Sequence, residues 1–259
     1  DNTTADNNVA VGHYALDANT TGDRNQAIGT GALGALTTGT KNQAMGQDAA
    51  ALVTTGEKNT AIGDQALYWM TTGTNNVAVG YKALAMVTSG EENVGIGRSA
   101  GDTITTGSLN TYIGKGSDAS ANNNSSETVL GSNLTGKGSD TTYIRGACYQ
   151  GNNSSSWSTT SDERIKKNIV DNTTGLDKIN QIRVRNFEYR TPDEIDYTEF
   201  VEGTNPKSIP INKEGVQLGV VAQEIEKVLP DIVDIESTGV KKVNPDNLTW
   251  YLVNAVKEL

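Results

Sequence analysis

The chain has 259 residues, room for one to two domains, and a formal charge of −10 with a single cysteine and a single histidine. The acidic balance argues against nucleic acid as a partner, and no apolar run approaches the roughly 18 residues of a membrane span, so no membrane insertion is expected. Cys148 alone supports neither an intrachain disulfide nor a cysteine-rich metal site, and His13 alone supplies neither a histidine metal centre nor a triad, so neither metal nor cofactor is expected.

The opening DNTTADNN lacks the basic and apolar regions of a signal peptide and, without a methionine, reads as the cut end of a longer protein. His13 reads as a surface residue and Cys148 as a small buried hydrophobe. Composition changes sharply at Ser161. Residues 1–160 hold 23 glycines, no proline and 21 charged residues, whereas residues 161–259 hold 5 glycines, 5 prolines and 31 charged residues. Three regions follow: residues 1–149 as fibre repeats, 150–160 as an Asn/Ser/Thr linker, and 161–259 as a second domain.

The first region repeats every 17 residues. Asn-x-Ala-(Val/Ile/Met)-Gly begins at Asn8, Asn25, Asn42, Asn59 and Asn76, with looser copies at Asn93 and Asn110. An eighth copy, ETVLG, begins at Glu127, where the asparagine is lost, so the repeats span residues 8–131. Thr-Thr-Gly precedes most of the asparagines, and Ala-Leu follows the repeat glycine. Helical repeats are excluded by the short period and by the Gly, Thr and Asn content. Seventeen residues suit one coil of a parallel β-solenoid, with two short strands and two glycine turns per coil. A column of identical asparagines can then form a hydrogen-bonded ladder along the stack.

Two adjacent columns carry the next inference. Ala10, Ala27, Ala44, Ala61 and Ala78 form a small apolar column, and Val11, Ile28, Met45, Ile62, Val79, Ile96 and Ile113 a large one. Neighbouring strand residues point to opposite faces, so one column lines the coil and the other needs a partner. The simplest partner is a copy of the same chain; the alternative is a monomeric solenoid with one wide core. In ALYWM, Tyr68 and Trp69 replace smaller residues, either as a local packing change or as a contact for a receptor sugar.

NVAVGHYAL, NTAIGDQAL and NVAVGYKAL resemble the head repeats of trimeric autotransporter adhesins and similar repeats in bacteriophage tail fibres. That resemblance implies a β-roll or an interwoven β-structure built by three chains on a threefold axis.

From Ser161 onward the pattern is α/β. Leu176, Ile179 and Ile182 have helical spacing, residues 184–190 alternate as a strand, and residues 191–214 read as a long loop. Residues 216–222 read as a buried strand and 223–229 as a short helix stopped by Pro230; DIVDIE and VKKV read as strands. Asn244 and Pro245 open a last helix on which Leu248, Leu252, Ala255 and Leu259 form either a coiled-coil seam or a core face. The pattern is still running at Leu259, as if more chain followed. The fold class expected is therefore a mainly β solenoid of 17-residue repeats followed by an α+β domain ending in a helix.

By itself, SDERIKKNI at residues 161–169 reads as a helix cap on a solvated face. Together with GVVAQEIEKVLPDIV, it resembles the intramolecular chaperone domain at the C-terminus of phage tailspikes and tail fibres, including endosialidase tailspikes (peptidase S74 type), and a related domain of myelin regulatory factors. Ser161, Asp162, Arg164 and Lys166 match one family signature; Gly219, Ala222, Gln223 and Glu224, with Pro230 following, match the other.

The resemblance implies a homotrimeric folding chaperone that removes itself by cutting Thr160–Ser161. Ser161 would be the nucleophile and Lys166 the general base, with Lys167 a minor alternative. Arg164 is a supporting residue and Gln223 a candidate oxyanion donor. A lysine acts as base only when burial or nearby positive charge lowers its pKa from about 10.4, and Arg164 and Lys167 supply charge nearby. The implied setting is a virion tail fibre attached to a host-surface receptor, a glycan or an outer-membrane component. The rival readings are a bacterial surface adhesin with an inert trimerisation cap and a glycan-depolymerising tailspike, although no paired carboxylate site shows in the repeats.

Overall fold

The structure is a computed structural model that describes residues 4–145, 161–202, 209, 211, 213–236 and 238–259. The chain divides into two compact units, Asp1–Arg145 with Tyr197–Ile209, and Gly146–Asp196 with Pro210–Leu259.

The first unit is a parallel solenoid. Among its described residues, nine strands of three residues pair in chain order: β1 Val9–Val11, β2 Gln26–Ile28, β3 Gln43–Met45, β4 Thr60–Ile62, β5 Val77–Val79, β6 Val94–Ile96, β7 Thr111–Ile113, β8 Thr128–Leu130 and β9 Thr142–Ile144. From β1 to β8 the register is the sequence period itself, as in Ala27↔Ala44 and Ala44↔Ala61. Strands β1 to β8 each end at the repeat glycine. Gly29 has φ +134°, and a Cβ there would lie 2.3 Å from the Gly46 carbonyl oxygen, so both conformation and stacking require glycine.

One strand forms per coil among the described residues, not the expected two. The rest of the coil is turn, because non-glycine residues enter the left-handed region at fixed places: Leu33 (φ 50°) and Lys41 (φ 60°), echoed by Leu67 and Lys58. Such residues interrupt extension after only a few positions. The turns still stack by backbone bonds, as in Leu33 N–H to Ala49 O at 3.0 Å and Thr37 N–H to Thr54 O at 2.9 Å.

The asparagine column forms the expected ladder. Each Oδ1, from Asn8 to Asn93, accepts the backbone N–H of the next asparagine at 2.7–3.1 Å. From Asn8 to Asn93, each Nδ2 donates to the glycine carbonyl 14 residues on, at 2.8–2.9 Å. This bond explains why Thr-Thr-Gly and Asn recur together: the glycine carbonyl is the asparagine's acceptor. Among the described residues no buried side-chain polar atom is left without a partner.

From Ala27 to Ala78 the alanine column is buried and packs with Leu33, Leu36, Val53, Leu67, Met70 and Val87, while Ala10 in the first coil is exposed. The large apolar column is not buried in the chain taken alone. Val11, Ile28, Met45, Ile62, Ile96 and Ile113 are all exposed, so within one chain only one face of the sheet is covered.

The last coils depart from the repeat. The β8–β9 register, Thr128↔Thr142, is 14 residues, which is why β9 escaped a search for the longer period. Tyr112 enters the alanine column and is fully buried, and a Cβ on Gly101 would meet its ring at 2.8 Å. Glu127 takes the asparagine position. Its carboxylate accepts from Gly138 N–H at 2.7 Å, Tyr112 O–H at 3.1 Å and Asn124 Nδ2 at 3.3 Å, closing the ladder with an acceptor-only group.

The second unit has a small core of Ile225, Leu229, Ile232 and Tyr251, with Ile179, Ile182, Val220, Val228, Val233, Val243 and Leu248 packed against it. The pieces are α1 Leu176–Ile179, β10 Arg185–Phe187, β11 Gln217–Gly219, α2 Ala222–Ile225, β12 Val233–Ile235, β13 Lys241–Val243 and α3 Pro245–Glu258. Strands β10 and β11 pair antiparallel, as do β12 and β13. Residues 191–214 carry the short 3-10 turns Pro192–Glu194 and Tyr197–Glu199 where described.

Asn244 caps α3 by accepting the Asp246 N–H at 3.0 Å. The other end of α3 holds the chain around α1: Glu258 accepts the Leu176 N–H at 2.8 Å, and Asn254 Nδ2 donates to Asn172 O at 2.8 Å and Thr174 O at 3.1 Å. Leu248 and Ala255 pack or bury as a core face requires, but Leu252 and Leu259 are 45% and 90% exposed. The four-residue seam therefore straddles a boundary: Leu248, Tyr251 and Ala255 serve the unit, while Leu252, Val256 and Leu259 stay outside it.

Candidate functional site

Immediately after Ser161 the chain makes one 3-10 turn, Glu163–Ile165. Asp162 starts it, accepting the Arg164 N–H at 2.8 Å, and the Lys166 N–H returns to Glu163 O at 3.1 Å. Five residues of extended chain would put Ser161 and Lys166 about 17 Å apart. The turn shortens that span, and Lys166 Nζ donates to Ser161 Oγ at 2.6 Å. A serine hydroxyl and a lysine amine at hydrogen-bond distance have the geometry of a nucleophile and its base.

Both residues are exposed in the single chain, so burial is not what one chain supplies to this pair. Nor is Arg164 a free neighbouring cation. Its guanidinium bonds both Asp162 oxygens, with Nε contacts of 3.0 and 3.1 Å. The Arg164 side chain, with its backbone N–H, holds the Asp162 carboxyl below the usual carboxylate range, and Asp162 in turn raises the guanidinium pKa. Of the two cations expected to act on the lysine, Arg164 and Lys167, Arg164 is paired with a carboxylate two residues away.

Gln223 is exposed on α2, and no hydrogen bond joins it to Ser161 or Lys166 among the described residues. Its neighbour Glu224 has the visible role. Arg185 grips it with contacts of 2.6 and 3.2 Å, tying α2 to β10, and this pairing lowers the Glu224 pKa. The alternating Arg183 and Arg185 opposite the Glu of the second signature were the available clue. Gly219 has an equally local reason, since a Cβ there would lie 3.1 Å from the Phe187 ring. Thr160 and Cys148 lie outside the described residues.

Elsewhere, His13 is exposed with its ring 3.7 Å from that of Tyr14. Trp69 is exposed and meets the half-buried Tyr68 edge-on, with ring centroids 5.2 Å apart. No group of His, Cys, Asp or Glu suited to a metal ion occurs among the described residues, and no helix among them is long and apolar enough to cross a membrane.

A stack of short parallel coils followed by a small α/β unit that opens on a serine–lysine pair is tail-fibre-like in organisation. Residues 161–234 match the family model of Peptidase S74, described as chaperone of endosialidase, so the chain carries a domain of that family. The match starts on Ser161 itself and includes both signatures; β13 and α3 lie beyond it. No curated protein matches the chain.

Proposed function

We propose that the chain is a segment of a homotrimeric phage tail fibre or tailspike, part of a host-attachment structure in the virion. Its C-terminal domain holds three chains in register while the solenoids form and then releases itself by cutting Thr160–Ser161. The observation that carries this reading is the 2.6 Å contact between Lys166 Nζ and Ser161 Oγ at the first residues of an endosialidase-chaperone domain.

The chemistry balances as an acyl shift followed by hydrolysis. Ser161 Oγ attacks the Thr160 carbonyl carbon while the unprotonated Lys166 amine takes the hydroxyl proton. The C–N bond then breaks, its nitrogen receives a proton and becomes the new amino terminus, and Thr160 is left as an ester on Ser161. Water opens the ester to a Thr160 carboxylate and a restored Ser161 hydroxyl. Each chain turns over once.

Assembly supplies what the single chain lacks. The exposed column Val11, Ile28, Met45, Ile62, Ile96 and Ile113 and the exposed α3 edge Leu252, Val256 and Leu259 both leave apolar surface for neighbouring copies. Ile165, Ile169 and Val170 beside the dyad are exposed as well, so covering them would also exclude water around the lysine. Parallel coils rest on non-local pairings that form slowly, which is why a template is useful. Once it is gone, the solenoid cannot readily refold and its durability is kinetic.

A denaturing gel of the expressed full chain tests the reading. Two fragments divided at Thr160–Ser161 are expected from the wild type, and one full-length band from Ser161→Ala. A single band from both would favour a surface adhesin with an inert trimerisation cap.

A further inference from the structure

We infer that Asp162 is a positioning residue for the Ser161–Lys166 pair, shaping the turn that carries the lysine amine onto the serine hydroxyl. The inference rests on the proposed self-cleavage and asks what holds the dyad together. Lys166 lies five residues from Ser161, on a flexible four-carbon stem with many rotamers. Contact at 2.6 Å therefore needs a backbone that folds back between them. The only regular structure there is a three-residue 3-10 turn, too short to be stable by its own hydrogen bonds.

Asp162 supplies the missing constraint in two ways. Its Oδ1 accepts the Arg164 backbone N–H at 2.8 Å, satisfying a donor at the start of the turn. The same carboxylate is gripped by the Arg164 side chain through Nε at 3.0 and 3.1 Å and Nη2 at 2.5 Å. The fork fixes the carboxylate's orientation, and the cap passes that orientation to the backbone. The Arg164 side chain is 88% exposed, so the pair adds little to global stability. Its effect is local geometry, which links the Asp and Arg of the first signature to its Ser and Lys.

The test is timed cleavage of the full chain, with thermal unfolding and native mass recorded for every variant. Asp162→Ala should slow cleavage on the order of a hundredfold, the scale of a small misplacement of reacting groups. Asp162→Asn keeps an oxygen for the Arg164 N–H and should recover at least about tenfold of that loss. Arg164→Ala leaves the cap and loosens only the fork, so it should fall between Asp162→Ala and the wild type. Thermal unfolding and assembly state should match the wild type throughout.

Cleavage of Asp162→Ala at the wild-type rate would overturn the inference while leaving the dyad intact. So would an Asp162→Asn variant no faster than Asp162→Ala, because the cap would then not be the cause. Failure of the wild type itself to cleave would instead remove the dyad reading on which the inference stands.

Discussion

The solenoid uses the same few interactions many times; the C-terminal unit uses each of its interactions once. In the solenoid, one asparagine per coil joins the next asparagine and a glycine carbonyl from Asn8 to Asn93, and Asn110 passes the ladder to Glu127. In the C-terminal unit a core centred on Ile225, Leu229, Ile232 and Tyr251 is fastened by single contacts such as Arg185–Glu224, Lys241–Glu226 and Glu258 to Leu176. Repetition gives a structure stiffness but makes its register ambiguous, since a slip of one coil keeps most contacts. A unit whose contacts are all different has only one way to fit. That contrast is the physical case for letting the second unit align the first.

The sharpest way to break the comparison is refolding. Unfolded in denaturant and diluted, Ser161→Ala should recover its native mass because each chain keeps its template. Cleaved wild type should recover almost none, and equal recovery of the two would remove any chaperone role.

The next effect is assembly. Ile62 lies on the exposed apolar column. Ile62→Asp should leave the coil of one chain intact yet shift the native mass from trimer toward monomer, where Ala61→Asp, facing the core, should prevent folding.

Smaller in energy is one rung of the ladder. Asn59 accepts from and donates to four groups, all inside the coil. Asn59→Ala leaves the Asn76 N–H and the Gly73 carbonyl unpaired, at about 1–3 kcal/mol per buried group, while Asn42 Oδ1 keeps the backbone N–H of residue 59. Unfolding should accelerate correspondingly, with no effect on the cleavage rate.

The smallest effect is a pH slope at the end of the ladder. Burial pushes the Glu127 carboxyl up, against the lowering effect of its bonds from Gly138, Asn124 and Tyr112. Between its unfolded value near 4.5 and its raised folded value, the folded state binds more protons than the unfolded state. Stability therefore falls as pH rises through that window, by at most about 1.4 kcal/mol per pH unit. Glu127→Gln should flatten this slope in unfolding measured across acid to neutral pH, and an unchanged slope would place its origin elsewhere.

Much of the solenoid was legible because stacking forces a period onto the sequence. The glycine and asparagine columns name their own roles, and the ladder follows from identical residues meeting at identical heights. The single strand per coil was not legible, because left-handed Leu33, Lys41 and Leu67 are held by neighbouring coils and carry no mark in composition. Strand β9 was missed since its 14-residue register breaks the period, although the loss of asparagine at Glu127 was the sign that the repeat was ending.

In the C-terminal unit, the spacing of Ser161 and Lys166 was readable only through a family signature. Arg164 was expected to lend its charge to the lysine; its guanidinium bonds the Asp162 carboxylate two residues away, a pairing that the spacing alone did not announce. The α3 seam was read as one face because sequence spacing cannot tell which edge of a stripe the domain itself covers.

The most direct test is the intact mass of both fragments after the purified full chain has assembled and been denatured. The proposed mechanism predicts that the N-terminal fragment ends at Thr160 and the C-terminal one begins at Ser161 with an unmodified hydroxyl, both vanishing in Lys166→Ala. A wild-type chain of undivided mass, or a cut at any other bond, would contradict it.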